Sequence, residues 1–471
     1  MMSSPDPLSG KTAVVLGFAR QGQALARWLP TVGANVIVSD KRSFGDLAEA
    51  ILEFIDAPIQ YALGSHPLEL LDQANVVFLS GGVDPKIPFC AAAAQRGIPL
   101  TNDAQAFLER CPAPVVGITG SAGKTTTTTL TGLMLKNAGL LTFVGGNIGV
   151  VLLDVLADIL PEHRVVMELS SFQLELMTRS PQIAAVLNLT PNHLDRHGTM
   201  EAYMAAKAQI FLHQKPDDVA IFNADDAGSA TLGDMATSRV GWFSARTVFP
   251  DGAFMVGSRL MIAGLCSPNG DAQTVCTRED IRLRGEHNLY NVLAACAIAG
   301  AAGVPPTVMR ETIQNFNGVE HRLEIVRTVG GVTYVNDSIA TAPSRTIAAL
   351  NSFNEPIILL AGGRDKKLDW DDLMNLIGRK VRYLVTFGEF GPNIAQMARS
   401  LLNLPGTSLQ GVENFQTLDQ AVRKASEVAQ SGDVVLLSPG GTSYDQYEDF
   451  AARGEHFRVL VTALEERGSR R

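Results

Sequence analysis

The chain offers little for a metal framework or a disulfide network. Its five cysteines are Cys90, Cys111, Cys266, Cys276 and Cys296. They are scattered, odd in number and form no CxxC pair, which argues against a zinc ribbon or a cystine scaffold and fits a reducing compartment. Their expected role is that of small buried hydrophobes. Positive charge is also short. Thirty-nine Lys and Arg face 48 Asp and Glu, for a net charge of -9. Nonspecific attraction to nucleic acid is therefore not expected, and an anionic ligand must be gripped by local groups. No apolar run approaches the length of a membrane span. The opening MMSSPDPLSG has neither the basic nor the apolar block of a secretory signal. A cytoplasmic monomer that binds neither nucleic acid nor membrane is expected.

What the sequence does contain is a rhythm. With 471 residues the chain exceeds what one core supports, so several domains are expected. Strand-length apolar runs alternate with helical patterns, the signature of parallel α/β architecture. The first block has strands at 12–17, 34–39 and 76–80, with a helix over 21–29. A Pro-rich segment, Glu109 to Pro114, precedes a fresh strand at 115–119. Further strands are expected at 165–169, 184–189 and 219–223, then a β-rich stretch over 238–284 and an Ala-rich helix over 289–302. The third block repeats the α/β pattern with strands at 332–336, 357–361, 383–387 and 434–438. Domains are expected over 1–111, 112–318 and 319–471.

The stretch VVGITGSAGKTTTTTL, from Val115 to Leu130, joins a strand to a helix through glycines at 117, 120 and 123. The spacing is not that of the common P-loop, which has a glycine where Ile118 stands. The physics is still that of a phosphate cradle. Glycines let backbone N–H groups turn toward phosphate oxygens, and a helix N-terminus adds positive potential. Gly120, Ser121, Ala122, Gly123, Lys124, Thr125 and Thr126 form the candidate cradle, with Lys124 for the terminal phosphates and the Thr125 hydroxyl for Mg²⁺.

Other candidates sit at strand ends, where open α/β sheets collect ligands. Glu168 closes an apolar strand and is placed to hold Mg²⁺ opposite the cradle. Asn192, His193, Asp195 and Arg196 follow the next strand, with His193 suited to a metal and Arg196 to phosphate. Tyr203, Lys207 and Phe211 share one helical face; periodicity alone makes Lys207 an ordinary helix lysine whose stem packs. Asn288 and Asn291 also share a face, suited to a purine edge or, for one of them, to a helix cap. In the first block, Gly17 to Gly22 reads as a dinucleotide fingerprint with Ala19 at the middle position, and Asp40 follows the second strand as a ribose-facing acid would. The third block places Arg322, Asp337, Thr341, Lys366 and Ser443 in strand-end loops. NAD or another nucleotide diphosphate fits the first block equally well.

Taken in order, these motifs resemble the Mur ligase superfamily over nearly the whole chain. The resemblance rests on Thr119-Gly-Ser-Ala-Gly-Lys-Thr125, Gly145-Gly-Asn147-Ile-Gly, Glu168-Leu-Ser-Ser-Phe-Gln and Asn192-His193-Leu-Asp. It continues through the Lys207 helix, His287-Asn-Leu-Tyr-Asn291, His321-Arg322-Leu-Glu and Ser443-Tyr-Asp-Gln-Tyr. It implies a Rossmann-like N-terminal domain for a UDP-sugar, a central P-loop-type mononucleotide-binding α/β domain for ATP, and a Rossmann-like C-terminal domain for an amino acid. The third block looks most like members that add D-glutamate to UDP-N-acetylmuramoyl-L-alanine through an acyl phosphate and a tetrahedral intermediate. By resemblance, Lys124, Glu168, His193 and Lys207 are catalytic, with Lys207 as a carbamate. Two Mg²⁺ ions would be held by Thr125, Glu168, His193 and that carbamate. Asn288, Asn291, Arg322 and Asp337 would join the cradle around ATP. Gly17, Arg20, Gln21, Asp40, Arg42, Ser80, Asn147 and Arg196 would line the UDP-sugar site, and Thr341, Lys366, Ser443 and Tyr444 the D-glutamate site. The chain departs from the family pattern at Ala122, where Asn is frequent, and at Ser80-Gly-Gly82. It also departs at Ile339, where a lysine is usual and where Arg345 or Arg364 would have to supply the charge.

Overall fold

A computed structural model describes residues 5–283, 285–402 and 404–464. The first four residues of the opening segment and the side chain of Asp195 lie outside the described set. The chain divides into two compact units, with the change between Phe316 and Asn317, and residues 283 and 285 group with the second.

The first unit carries two sheets. One has five parallel strands, with Thr12–Leu16 at its centre between Asn35–Asp40 and Val76–Leu79, and Ile59–Leu63 and Leu100–Thr101 at the edges. Chain connections leave the central strand in opposite directions, so a crevice opens where Gly17 and Ser80 end their strands. Two glycines of the degenerate fingerprint have steric reasons. Gly17 has φ 85°, and a Cβ there would press on Ser80 and Val83; a Cβ on Gly22 would collide with the Gly17 carbonyl. Ala19 has an extended backbone (φ -88°) and needs no glycine.

The other sheet has nine strands. Val115–Thr119 lies between Arg164–Glu168 and Ile183–Val186; Thr142–Gly146 forms one edge, and Val219–Asn223 and Arg239–Ser244 continue the other way. These strands are parallel, and Val115–Thr119 and Val219–Asn223 are buried throughout, as a sheet covered on both faces requires. The β-rich stretch adds Gly252–Val256, Arg259–Gly264 and Gly270–Thr277, joined antiparallel. The Ala-rich helix runs from Glu286 to Ala301, three residues earlier than the sequence pattern suggests. Asn288 therefore sits inside the helix, and the capping alternative for it is dropped.

The second unit has one six-stranded sheet in the order Glu324–Val329, Val332–Asn336, Val434–Gly440, Ile357–Gly362, Val381–Phe387, Gly411–Asn414. Only the first pair is antiparallel. All five cysteines are free thiols, and Cys90, Cys266, Cys276 and Cys296 are buried. Among the described residues no helix is long and apolar enough to cross a membrane.

Candidate functional site

The candidate phosphate cradle lies between a strand that stops at Thr119 and a helix that begins at Lys124 and runs to Asn137. Between them Gly123 takes φ 83°, a left-handed conformation, and a Cβ there would strike Asn291 Oδ1. Only glycine fits without strain. Asn291 thus lies against the cradle, and its Nδ2 donates to Asn288 Oδ1 at 2.9 Å. The first turn of the helix leaves the amides of Thr125 and Thr126 without acceptors inside the helix.

The earlier half of the loop is tied down by Asn188, a residue outside the candidate set. Asn188 accepts from the Ala122 amide through Oδ1 at 2.8 Å and donates through Nδ2 to the Ala122 carbonyl at 3.0 Å. The Ser121 amide donates to the Asn188 carbonyl at 2.9 Å. Ser121 Oγ lies 3.0 Å from Tyr203 Oη and donates to the Thr190 carbonyl at 2.9 Å. The amides of Ser121 and Ala122 are therefore already engaged, which leaves those from Gly123 onward as the candidate phosphate donors. Ala122 needs no amide side chain, because Asn188 braces the loop from outside.

Two lysines converge on one carbonyl. Lys124 Nζ donates to the Gly120 oxygen at 2.9 Å, and Lys207 Nζ donates to the same oxygen at 3.0 Å and to Thr119 Oγ1 at 3.1 Å. Lys207 is 1% exposed, between buried Tyr203 and Phe211 on helix Met200–Leu212. Burial drives its pKa well below the usual lysine value; the Lys124 charge pushes the same way and Glu168 opposes. Burial thus disfavours the charged form of Lys207, which periodicity could not show.

Glu168 is 2% exposed. Its Oε1 accepts from Asn147 Nδ2 at 3.0 Å, while Oε2 is buried and has no hydrogen-bond partner among the described residues. A buried carboxylate oxygen in this state is suited to take a cation. No cluster of three or more His, Cys, Asp or Glu residues suited to a metal occurs among the described residues.

His193 is exposed, with φ 53°. That left-handed backbone is uncommon outside glycine. Its ring meets Phe172 edge-on at 5.0 Å. Phe172 also stacks on His197 and lies under the Arg196 guanidinium at 3.9 Å, which makes it a hub that sequence reading passed over. Arg196 donates to the carbonyls of Val83 at 2.8 Å and Gly81 at 3.4 Å, across to the first sheet.

At the first sheet's crevice, Asp40 accepts from the Phe18 amide at 2.7 Å and from Arg42 Nη2 at 2.8 Å. Burial would raise its carboxyl, but the Arg42 guanidinium and the Arg42 and Phe18 amides outweigh that and hold it at about 2. Gln21 Oε1 accepts from the Gly81 amide at 2.8 Å, next to buried Ser80. Arg20 turns away to the carbonyls of Gly149 at 2.9 Å, Asn147 at 3.2 Å and Gly146 at 3.4 Å. Gly17, Gln21, Ser80, Asp40 and Arg42 are thus gathered, while Arg20 and Arg196, two of the three arginines of the expected UDP-sugar set, are engaged with backbone carbonyls.

The second unit carries the remaining candidates. Lys366 Nζ donates to Thr341 Oγ1 at 3.2 Å. Ser443 is buried, and Tyr444 is 64% exposed. Asp337 accepts from Ser438 Oγ at 2.8 Å and the Leu323 amide at 3.2 Å, yet its burial pushes the carboxyl up to about 7, against those bonds and the nearby Arg322 charge. Arg345 donates to the Ile339 carbonyl at 3.2 Å, and after burial its charge is what lowers Lys366. Arg364 is paired with Glu389 at 2.9 Å. Of the two arginines expected to offset Ile339, Arg345 is the one placed beside it.

Family descriptions match the chain in three successive stretches. They are the MurD-like N-terminal domain of Mur ligases over residues 11–102, the Mur ligase middle domain over 118–299, and the Mur ligase glutamate ligase domain over 321–441. The chain is 39% identical to the UDP-N-acetylmuramoylalanine–D-glutamate ligase of Alkaliphilus oremlandii, over 97% of this chain and 99% of that protein. It is 41% identical to the protein of the same name from Symbiobacterium thermophilum, over 96% and 98%. Among solved structures, the UDP-N-acetylmuramate-alanine ligase of Thermotoga maritima superposes with a TM-score of 0.55 at 19% identity, covering 96% of this chain and 99% of that one. The Acinetobacter baumannii UDP-N-acetylmuramoylalanyl-D-glutamyl-2,6-diaminopimelate–D-alanyl-D-alanyl ligase gives 0.54 at 20% identity, covering 98% and 92%. At such identities these two speak for the fold alone.

Proposed function

The chain belongs to the Mur ligase family, and we propose that it joins D-glutamate to UDP-N-acetylmuramoyl-L-alanine, converting ATP to ADP and phosphate, in cytoplasmic peptidoglycan precursor synthesis. The observation that carries this reading is likeness of 39–41% over nearly the full length to ligases named for D-glutamate. Fold alone would not choose the amino acid.

The chemical difficulty is that a carboxylate is a poor electrophile. The γ-phosphoryl group of ATP passes to the alanyl carboxylate, giving an acyl phosphate and ADP. The D-glutamate amine then attacks the acyl carbon, and the tetrahedral intermediate releases phosphate as the amide forms. The chain's part is mainly positioning and charge stabilisation. The amides from Gly123 onward cradle phosphate, and Lys124 meets the negative charge that grows on the transferring group. Asn288 and Asn291 lie beside the cradle for the purine. Gly17, Gln21, Asp40, Arg42 and Ser80 line the crevice that takes UDP. Thr341, Lys366 and Ser443 receive the D-glutamate side-chain carboxylate.

Mg²⁺ would be held by Thr125 and Glu168 at one position and by Glu168, His193 and Lys207 at another. When bound, Mg²⁺ neutralises phosphoryl charge. A lysine ammonium would repel such a cation. In its uncharged form the Lys207 amine can instead add to CO₂: the N–C bond forms as one C=O π bond opens onto oxygen, the nitrogen gives its proton to solvent, and the side chain becomes an anionic carbamate with oxygen donors.

The test is a panel of amino acids with UDP-N-acetylmuramoyl-L-alanine and ATP, scored by phosphate release and amide product. D-glutamate should give the highest kcat/KM. If L-lysine, diaminopimelate or L-glutamate surpasses it, the assignment of substrate is wrong.

A further inference from the structure

Arg20 stands at the head of helix Arg20–Thr31, at the crevice end of the first sheet. An arginine there invites the reading that it grips a diphosphate. Its hydrogen bonds say otherwise. Both terminal nitrogens are engaged with a loop more than 120 residues away: Nη1 with the Gly149 carbonyl, Nη2 with the carbonyls of Gly146 and Asn147. A guanidinium grips phosphate through a pair of free parallel N–H groups, and here that fork points at the backbone.

The loop it holds is itself tightly specified. The Gly146 amide donates to the Val150 carbonyl at 3.1 Å, and Gly146 has φ 101° with no room for a Cβ beside the Glu168 carbonyl. The next residue, Asn147, donates its backbone N–H to the Glu168 carbonyl at 2.9 Å and its side-chain amide to Glu168 Oε1 at 3.0 Å. Those two bonds fix which carboxylate oxygen is occupied and which, Oε2, stays open. The route from Arg20 to Glu168 is therefore continuous: guanidinium, loop carbonyls, Asn147 amide, carboxylate.

We infer that Arg20 is a positioning residue for Glu168, acting through the Gly146–Gly149 loop and Asn147, and is not a ligand of the sugar nucleotide. This inference rests on the proposed role of Glu168 as the carboxylate that takes the divalent cation. Removing Arg20 frees the loop carbonyls, lets Asn147 leave Oε1, and spreads the carboxylate over orientations that bind the cation less well.

The test uses the full chain with Mn²⁺ as the probe cation and a non-hydrolysable ATP analogue, with Mn²⁺ affinity read by electron paramagnetic resonance. Arg20→Met should weaken Mn²⁺ binding by roughly 10- to 100-fold, the usual cost of losing an outer-shell partner. Affinity for UDP-N-acetylmuramoyl-L-alanine, read by calorimetry, should change less than about threefold. Arg20→Lys, which keeps the charge but not the fork, should recover Mn²⁺ affinity only in part. In a double-mutant cycle, Arg20→Met and Asn147→Ala should be strongly non-additive, because they act in one chain of contacts. Additive losses, or lost sugar-nucleotide affinity with Mn²⁺ affinity intact, would overturn the inference. The Mn²⁺ measurement does not depend on which amino acid the enzyme prefers, so a failure of the D-glutamate assignment is seen separately.

Discussion

Asn147 meets Glu168 twice, side chain to carboxylate at 3.0 Å and backbone to backbone at 2.9 Å. One carboxylate oxygen is thereby fixed while its twin is buried without a partner. Glu168→Gln keeps the shape and an acceptor for Asn147 but removes the charge. Turnover should fall by about 100-fold or more, the scale seen when a preorganised electrostatic contact is removed. Thermal denaturation should show a folded protein of near-unchanged stability. A variant with normal phosphate release would remove Glu168 from the cation site.

Lys207→Met should nearly abolish turnover while stabilising the fold. The sign follows from linkage. The folded pKa of Lys207 is lowered. Between that lowered value and the unfolded value the unfolded chain binds a proton that the folded chain does not, so this group makes stability rise with pH. Methionine removes the titration, and its advantage over the native chain should be largest at the acid end of the window. Thermal midpoints of both proteins across pH decide the matter; a gap that widens toward alkaline pH would contradict the burial argument.

Asn188 braces Ala122 through both its amide nitrogen and its oxygen. Asn188→Asp keeps the acceptor but sets a carboxylate oxygen against the Ala122 carbonyl, and adds negative charge beside the phosphate cradle. ATP affinity should weaken by roughly 10-fold, in line with the loss of one hydrogen bond. Titration calorimetry reads this directly, and an unchanged Kd would mean the brace is dispensable.

Asp103 is buried, with Oδ1 lacking a partner among the described residues, and burial pushes its carboxyl from 3.8 up to about 6. Between those values the folded state keeps a proton that the unfolded chain loses, so stability falls as pH rises through the window and is level above it. Asp103→Asn should therefore be more stable than the native chain above pH 6, by at most about 3 kcal/mol, and should converge with it near pH 4. Denaturation midpoints at three pH values would show the convergence or its absence.

The elements that carry local rules were legible before any coordinates. Strand Val115–Thr119 and the helix start at Lys124 fall where glycine spacing and the Lys-Thr pair put them, because a strand, a cradle and a helix head occupy adjacent residues. The Tyr203–Lys207–Phe211 face was readable for the same reason, since it needs only a period of 3.6. What escaped is set by contacts distant in sequence. Arg20 and Arg196 were read as sugar-nucleotide contacts, yet their carbonyl partners lie 113 to 129 positions away. Asn188 and Phe172 matter through what they touch, and neither residue type announces a partner. The early start of helix Glu286–Ala301 escaped because Gly285 and His287 give no strong helical signal.

The thiols carry a consequence for practical work. Burial pushes Cys90 up to about 11 and Cys266 and Cys276 up to about 12, and raises Cys111 and Cys296 as well. Alkylating reagents attack the thiolate, so the native chain should stand in iodoacetamide at neutral pH with its activity intact. At the buried Cys90, Cys266, Cys276 and Cys296 label would enter only as segments open, and the order in which these four sites become modified would chart which parts of the protein loosen first.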